Sequence, residues 1–389
     1  MRDEMKKVPR LRFRGFSEDW EQCKVEELCK ISTGKGNTQD KVENGKYPFY
    51  VRSENIERSN YFLYDQEAVL TVGDGVGTGR VFHYVSGKYN LHQRVYRMYD
   101  FNKQISAKYF YYYFSLNFHR RVRSLTAKTS VDSVRLNMIA DMEIKYPSEL
   151  EQLKIFSFLD YLIKSITLHQ RKLEQLKELK KAYLQLMFPK KDETVPRVRF
   201  ADFEDDWQLC KLGDVVEIFD GTHQTPRYTD SGVKFVSVEN IATLETKKYI
   251  THEAYEKEYS KKRAKKGDIL MTRIGDIGTM KVIETDEPLA YYVTLALLKA
   301  KETNPYFLSF IISSPEIQRN IWKRTLHIAF PKKINLGEIN QVEMKITIFE
   351  EQDKIGDLFT NLDDAIILNQ NKLNQLKSLK KSYLQNMFI

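Results

Sequence analysis

The sequence predicts a mixed α/β fold built twice. Two globular domains are joined by two long helices that form an antiparallel coiled coil, in a pseudo-twofold arrangement. Three observations lead there. A helical segment is written twice, as LEQLKELKKAYLQLMF from Leu173 to Phe188 and as LNQLKSLKKSYLQNMF from Leu373 to Phe388. Over the longer stretches Glu151–Phe188 and Glu351–Phe388, 200 residues apart, 21 of 38 positions are identical. A lead-in motif also recurs: VPRLRF at Val8–Phe13 with FSEDW at Phe16–Trp20, then VPRVRF at Val195–Phe200 with FEDDW at Phe203–Trp207. A fixed internal period marks repeated units, and two copies are too few for a solenoid.

These anchors divide the 389 residues into a first domain at 1–147, a helical spacer at 148–189, a second domain at 190–346 and a second spacer at 347–389. That length exceeds what one core ordinarily organises. In the first domain YPFYV and AVLTV read as strands, and KFVSV and DILMT answer them in the second. Ala107–Phe118 and Asn304–Ile312 read as aromatic-rich helices. SENI at Ser53–Ile56 answers VENI at Val238–Ile241, and VGDGVGTGRVF at Val72–Phe82 answers IGDIGTMKVI at Ile274–Ile283. A dinucleotide-binding glycine loop needs a helix directly after it; here Arg80-Val-Phe-His-Tyr continues as strand, so a tight hairpin is expected.

In the spacers Leu162, Ile166, Leu173, Leu176, Tyr183 and Met187 recur at helical steps, as do Leu362, Ile366, Leu373, Leu376, Tyr383 and Met387. One apolar stripe per helix needs cover, and the other helix is the expected partner. Ser148-x-x-Glu151 and Thr347-x-x-Glu350 are expected capping boxes, and Pro189 a helix stop. His169 and Asn369, matched on the stripe, are candidate register-setters or half-exposed seam residues.

The net charge of +9 suits a polyanionic partner such as nucleic acid. Three cysteines, with no C-x-x-C pair, give no disulfide framework and point to a reducing cytoplasm. MRDEMKKVPR does not read as a leader, and PLAYYVTLALL from Pro288 is too short for a membrane span. There is no P-loop, no histidine spacing suited to zinc, no G-x-S-x-G and no compact acidic cluster. Thr303-Asn304-Pro305-Tyr306 stands where a helix begins and has no cofactor-binding glycine motif upstream. A binding protein is expected rather than an enzyme.

What remains is basic and polar. GTHQTPRYTD at Gly221–Asp230 offers Thr222, His223, Gln224, Thr225 and Arg227, side chains able to read base edges and the thymine methyl. STGKGNTQD at Ser32–Asp40 stands in the matching place, since Gly34 aligns with Gly221, and offers Lys35, Asn37 and Thr38. Arg80, Arg94, Arg121, Arg273, Lys281 and Lys332 complete the candidate DNA-binding set. Arg120, Arg121 and Arg123 form one basic cluster, while the KKRAKK run at Lys261–Lys266 reads as a solvated edge.

With its repeated domain-plus-helix order, its EQ-x-KI…L-x-x-LK-x-x-YL-x-x-MF helices, its GTHQTP loop and its Gly-Asp hairpins, the chain resembles the specificity subunits of Type I restriction-modification systems. The resemblance covers nearly the whole chain. It implies that each domain is a target recognition domain reading one half of a split, asymmetric site in double-stranded DNA. It implies that the helices clasp as a ruler and dock two modification subunits. S-adenosylmethionine, ATP and Mg would then be bound by the modification subunits and by restriction subunits, an ATP-dependent translocase and nuclease, leaving this chain without catalysis or cofactor. Leu162 to Phe188 makes a rod of about 40 Å at ~1.5 Å per residue, close to one turn of B-DNA, and the ruler is expected to be complete once the second copy is written. Arg273 and His223 are expected to contact bases in one half-site only. Two other readings stay open: a coiled-coil scaffold whose domains bind RNA or peptides, and a self-contained nuclease or methyltransferase with a degenerate site.

Overall fold

The computed structural model describes residues 8–75, 77–125 and 133–388. Val76 of the first Gly-Asp loop, and the first seven residues of the opening MRDEMKKVPR, lie outside them. The chain divides into two units: Met1–His169 with Lys372–Ile389, and Gln170–Asn371. Each unit holds one globular domain, the start of its own long helix and the end of the other.

The units repeat one topology. In the first, Lys30–Thr33, Val95–Tyr99, Ala68–Val72 and Phe82–Val85 form an antiparallel sheet in that order. In the second, Val216–Asp220, Leu295–Ala300, Ile269–Ile274 and Asp276–Val282 do the same. A smaller sheet stands beside each, with one parallel pairing: Tyr47–Tyr50 against Lys88–Leu91, and Val233–Val236 against Leu289–Tyr291. The Gly-Asp motifs are hairpin connections between antiparallel strands, and Gly275 takes a φ of +84° that L side chains resist. Ala107–Leu125 and Pro305–Ile312 are the helices on these sheets. Asn304 caps the second of them, its side chain accepting from Tyr306 and Phe307 N–H at 2.9 and 3.0 Å with Pro305 in the first turn. The Asn-Pro pair is therefore a helix start.

The long helices are unbroken, Glu149–Leu186 and Phe349–Asn386, 38 residues each, or about 57 Å at ~1.5 Å per residue. Both start before the stripe read from sequence. Within each unit the two run antiparallel. In the first, Phe158 meets Tyr383 with ring centroids 4.8 Å apart. In the second, Lys180 Nζ reaches Asp363 at 2.6 Å while Phe188 stacks on Phe359 at 5.7 Å. Leu162, Leu173, Leu176, Met187, Leu362, Leu373, Leu376 and Met387 are buried, and Ile166, Ile366, Tyr183 and Tyr383 are half-buried. His169 and Asn369 are half-buried too, and the Asn369 amide donates to its own helix at Ala365 O, 2.8 Å away.

The helix ends enter the globular cores. Phe388 lies against Tyr109 and Tyr113, at 5.6 and 6.1 Å, in the core of the first unit. Phe188, its repeat partner, lies against Trp207 and Phe307, at 6.2 and 6.0 Å, in the core of the second. The lead-in motifs lock the arrangement: Leu11 N–H donates to Asn386 O at 2.9 Å, and Val198 N–H to Leu186 O at 3.0 Å.

The capping boxes are not what the helix-start carboxylates form. Both oxygens of Glu151 accept from Arg12 at 2.8 Å, and both of Glu351 from Arg199 at 2.8 Å. The second helix begins after Ile348, so the acid that matches Glu151 is Glu351, and Glu350 is exposed. Gln152 and Gln352 tie the helix to its own domain, accepting from Ser106 and Asn304 N–H at 2.9 and 3.0 Å. The repeated Arg, Glu and Gln are thus a folding clamp. The three cysteines are free. Burial pushes the Cys29 thiol up to about 12 and, with Asp214 adding to burial, Cys210 up to about 11, which keeps both protonated and weakly nucleophilic at neutral pH. No helix among the described residues is long and apolar enough to cross a membrane.

Candidate nucleic-acid interface

Each large sheet ends in a loop seated on a neighbouring backbone. In the first domain Gly36 N–H donates to Leu91 O, and Gln93 N–H to Gly36 O, both at 2.8 Å. A Cβ on Gly34 would stand 2.3 Å from the Leu91 carbonyl oxygen, so glycine alone allows that approach. In the second domain Thr222 N–H donates to Tyr291 O at 3.1 Å and Val293 N–H to Thr222 O at 2.9 Å. A Cβ on Gly221 would stand 2.2 Å from Tyr292 O. The two aligned glycines do the same job in both repeats.

Around the first seat the polar groups converge. Lys35, Asn37 and Thr38 are exposed, and Asn37 N–H donates to Asp40 Oδ2 at 2.6 Å, holding the turn. Arg94 and Arg52 flank Asp74 of the Gly-Asp loop, at 3.7 and 3.5 Å, with their side chains half-exposed or more. His92 lies beneath. Burial, then the charge of Arg52, holds its ring below the ordinary histidine value. Its Nδ1 accepts from Arg94 N–H at 3.1 Å. A neutral ring of that tautomer carries its proton on Nε2, 3.4 Å from Thr38 Oγ1, and donates there. Arg52, Asp74 and His92 join this candidate surface although the sequence alone did not mark them as site residues: Asp74 lies within the Gly-Asp motif, Arg52 directly before SENI, and His92 two residues before Arg94.

In the second domain His223, Gln224, Thr225 and Arg227 are exposed on their loop. His223 Nε2 is 2.7 Å from Asp220 Oδ2, and Asp220 Oδ1 accepts from Arg273 Nη2 at 2.7 Å. A buried cation thus orients a carboxylate that orients an exposed imidazole. Four residues stand elsewhere than expected. Arg273 is 6% exposed, bound to Asp220 and to Ile334 O at 3.3 Å, so it positions His223 and does not face outward. Thr222 is buried by its own backbone pairing. Arg121 is half-buried and donates to Met138 O at 2.9 Å. Lys281 is half-buried beside Glu284, at 3.5 Å. Arg80 and Lys332 are exposed, and Lys332 Nζ stands 4.6 Å over the Trp322 ring.

Both surfaces therefore present hydrogen-bond donors and cations on short, anchored loops, the chemistry that contacts base edges and phosphates. Among the described residues no group of three His, Cys, Asp or Glu is gathered as for a metal ion.

The chain matches the family described as Type I restriction modification DNA specificity domain twice, over residues 17–178 and 204–378. It belongs to this family. Each match ends inside a long helix, so the family's unit is the domain-plus-helix repeat found here. Among relatives of the specificity-domain family, the Escherichia coli EcoDI specificity subunit is 28% identical over 167 residues, 43% of this chain and 36% of that protein. The Escherichia coli EcoBI specificity subunit is 22% identical over 326 residues, 77% of this chain and 68% of that protein. The alignment with the EcoDI subunit thus spans about a third of its length. The crystal structure of the S subunit of a Type I restriction-modification system from M. genitalium shares the fold, with a TM-score of 0.69 at 15% identity over 98% of this chain and 99% of that one.

Proposed function

We propose that this chain is the DNA-reading subunit of a Type I restriction-modification complex, each domain recognising one half of an asymmetric, bipartite duplex site. The observation that carries the reading is the matched pair of anchored polar loops, one per repeat, with unlike side chains on like backbones. Unlike loops read unlike half-sites. The long helices set the unread gap, placing the half-sites about one helical turn, ~34–36 Å, apart. They also carry large apolar side chains in water, Tyr161, Leu168, Ile367 and Leu368, each more than half exposed. Such side chains are suited to partner helices, and two modification subunits dock there. The methyl donor, ATP and Mg are bound by those subunits and by restriction subunits, so this chain recognises and does not catalyse.

Loop variants separate the two readers. His223→Ala with Gln224→Ala is expected to relax one half-site, at a cost of about 1–3 kcal/mol for each base edge no longer read. Arg94→Ala relaxes the other. Competition binding against duplexes substituted at every position measures this. Equal weakening on all duplexes would assign these side chains to phosphates; weakening in both half-sites by one variant would contradict one reader per domain.

A further inference from the structure

The second domain carries an apolar point that the loops above do not explain. Between Leu326 and Lys333 the chain leaves its domain and returns, closed by the Leu326 N–H bond to Lys333 O at 2.8 Å. Its base is pinned beside the reading surface. Gly275 N–H donates to Lys332 O at 2.8 Å, Ile334 N–H donates to Arg273 O at 3.0 Å, and Ile334 is fully buried. At the tip Ile328 is 98% and Phe330 104% exposed. Side chains of this kind are ordinarily inside. Here they stand on a closed loop whose base belongs to the Arg273–Asp220–His223 chain.

The surroundings say what the tip meets. Lys323, Lys332 and Lys333 are exposed around the base. Lys332 Nζ stands 4.6 Å from the centre of the Trp322 ring, and the His327 ring lies tilted against it at 4.4 Å. Trp322 and Leu326 add apolar surface at the base, 53% and 40% exposed, but only Ile328 and Phe330 stand wholly in solvent at the tip, with three lysines beside the base, where a protein-docking patch would be broad and contiguous. Cations hold phosphates while an apolar side chain enters between neighbouring base pairs, as wedge residues do when they unstack a step and kink the duplex.

Resting on the reading above, we propose that the Ile328–Phe330 tip is a wedge that inserts into a base step of the half-site read by the second domain. Ser133 bridges Asp74 as Lys333 bridges Ile274, and the seven residues before Ser133 in the sequence read TAKTSVD, with no aromatic, leucine or isoleucine. The distortion falls in the half-site of the second domain, whose sequence is chosen partly by how readily a step unstacks.

The test uses the full chain with the subunits that co-purify from its host, bound to its selected duplex. 2-Aminopurine is placed singly at each position. The wild type is expected to raise the fluorescence severalfold at one step of one half-site. Phe330→Ser abolishes that rise and weakens binding about tenfold, while Phe330→Leu keeps most of both. Because Phe330 lies wholly in solvent, thermal melting of both variants stays at the wild-type value. A base extruded by a modification subunit gives a signal that does not depend on Phe330. Tight bipartite binding with no Phe330-dependent signal would overturn the wedge and leave the DNA-reading function standing. Failure of Phe330→Ser to capture a partner subunit, with the DNA signal intact, would overturn it in favour of protein docking. No binding of the wild type to any duplex would overturn both.

Discussion

Phe388→Ala is expected to destabilise the first unit by about 3–5 kcal/mol, the ordinary cost of emptying a buried phenylalanine site. The ring is 6% exposed and lies between Tyr109 and Tyr113. In a unit of this size that corresponds to a fall in melting temperature of roughly 6–20 °C. Amide hydrogen exchange locates the loss. Protection falls in the helix Ala107–Leu125 and in the last helical turns. Phe188→Ala, the matched substitution, moves the loss to Pro305–Ile312 and the segment around Trp207. Equal loss across the chain from either variant would mean that the units do not unfold separately. A surface-like cost below about 0.5 kcal/mol would mean that the helix ends are not part of the cores.

Arg199→Ala comes next in size. Glu351 has no exposed side-chain surface, and both its oxygens accept from Arg199. Removing the cation leaves a buried carboxylate with, among the described residues, the Thr347 hydroxyl as its remaining side-chain donor, and breaking a buried pair from one side costs about 3–5 kcal/mol. Arg199→Met with Glu351→Leu removes both charges and recovers most of the loss, because two apolar residues leave no charge uncompensated. Urea unfolding of the single and double variants measures the coupling. Additive losses would show that Arg199 and Glu351 do not act as a pair. Arg12→Ala carries the same expectation for Glu151 in the first unit.

The helices and hairpins were legible in the sequence because periodicity and turn chemistry are local. The 200-residue period pointed to the repeat, the apolar stripe to the helix pair, and Asn304-Pro305 to a helix start. Partners distant along the chain were not legible. Nothing near Glu151 announces Arg12, 139 residues away, and nothing at Phe388 says that it ends in the first domain's core. The site divides the same way. His223, Gln224, Thr225 and Arg227 were recognisable because a polar loop after a strand is exposed whatever surrounds it. Arg273 looked alike in sequence but is buried, since Asp220 and Ile334, 53 and 61 positions away, enclose its guanidinium. Arg52, Asp74 and His92 gather only when three separate segments meet. The apolar tip at Ile328 and Phe330 escaped for the opposite reason: from sequence alone, such residues belong inside.

Selection from a random duplex library, using the full chain with its co-purifying subunits, tests the two-reader function most directly. Two short, different motifs separated by a fixed unread gap of about one helical turn are expected. A single contiguous motif, or no enrichment by an intact complex, would contradict it.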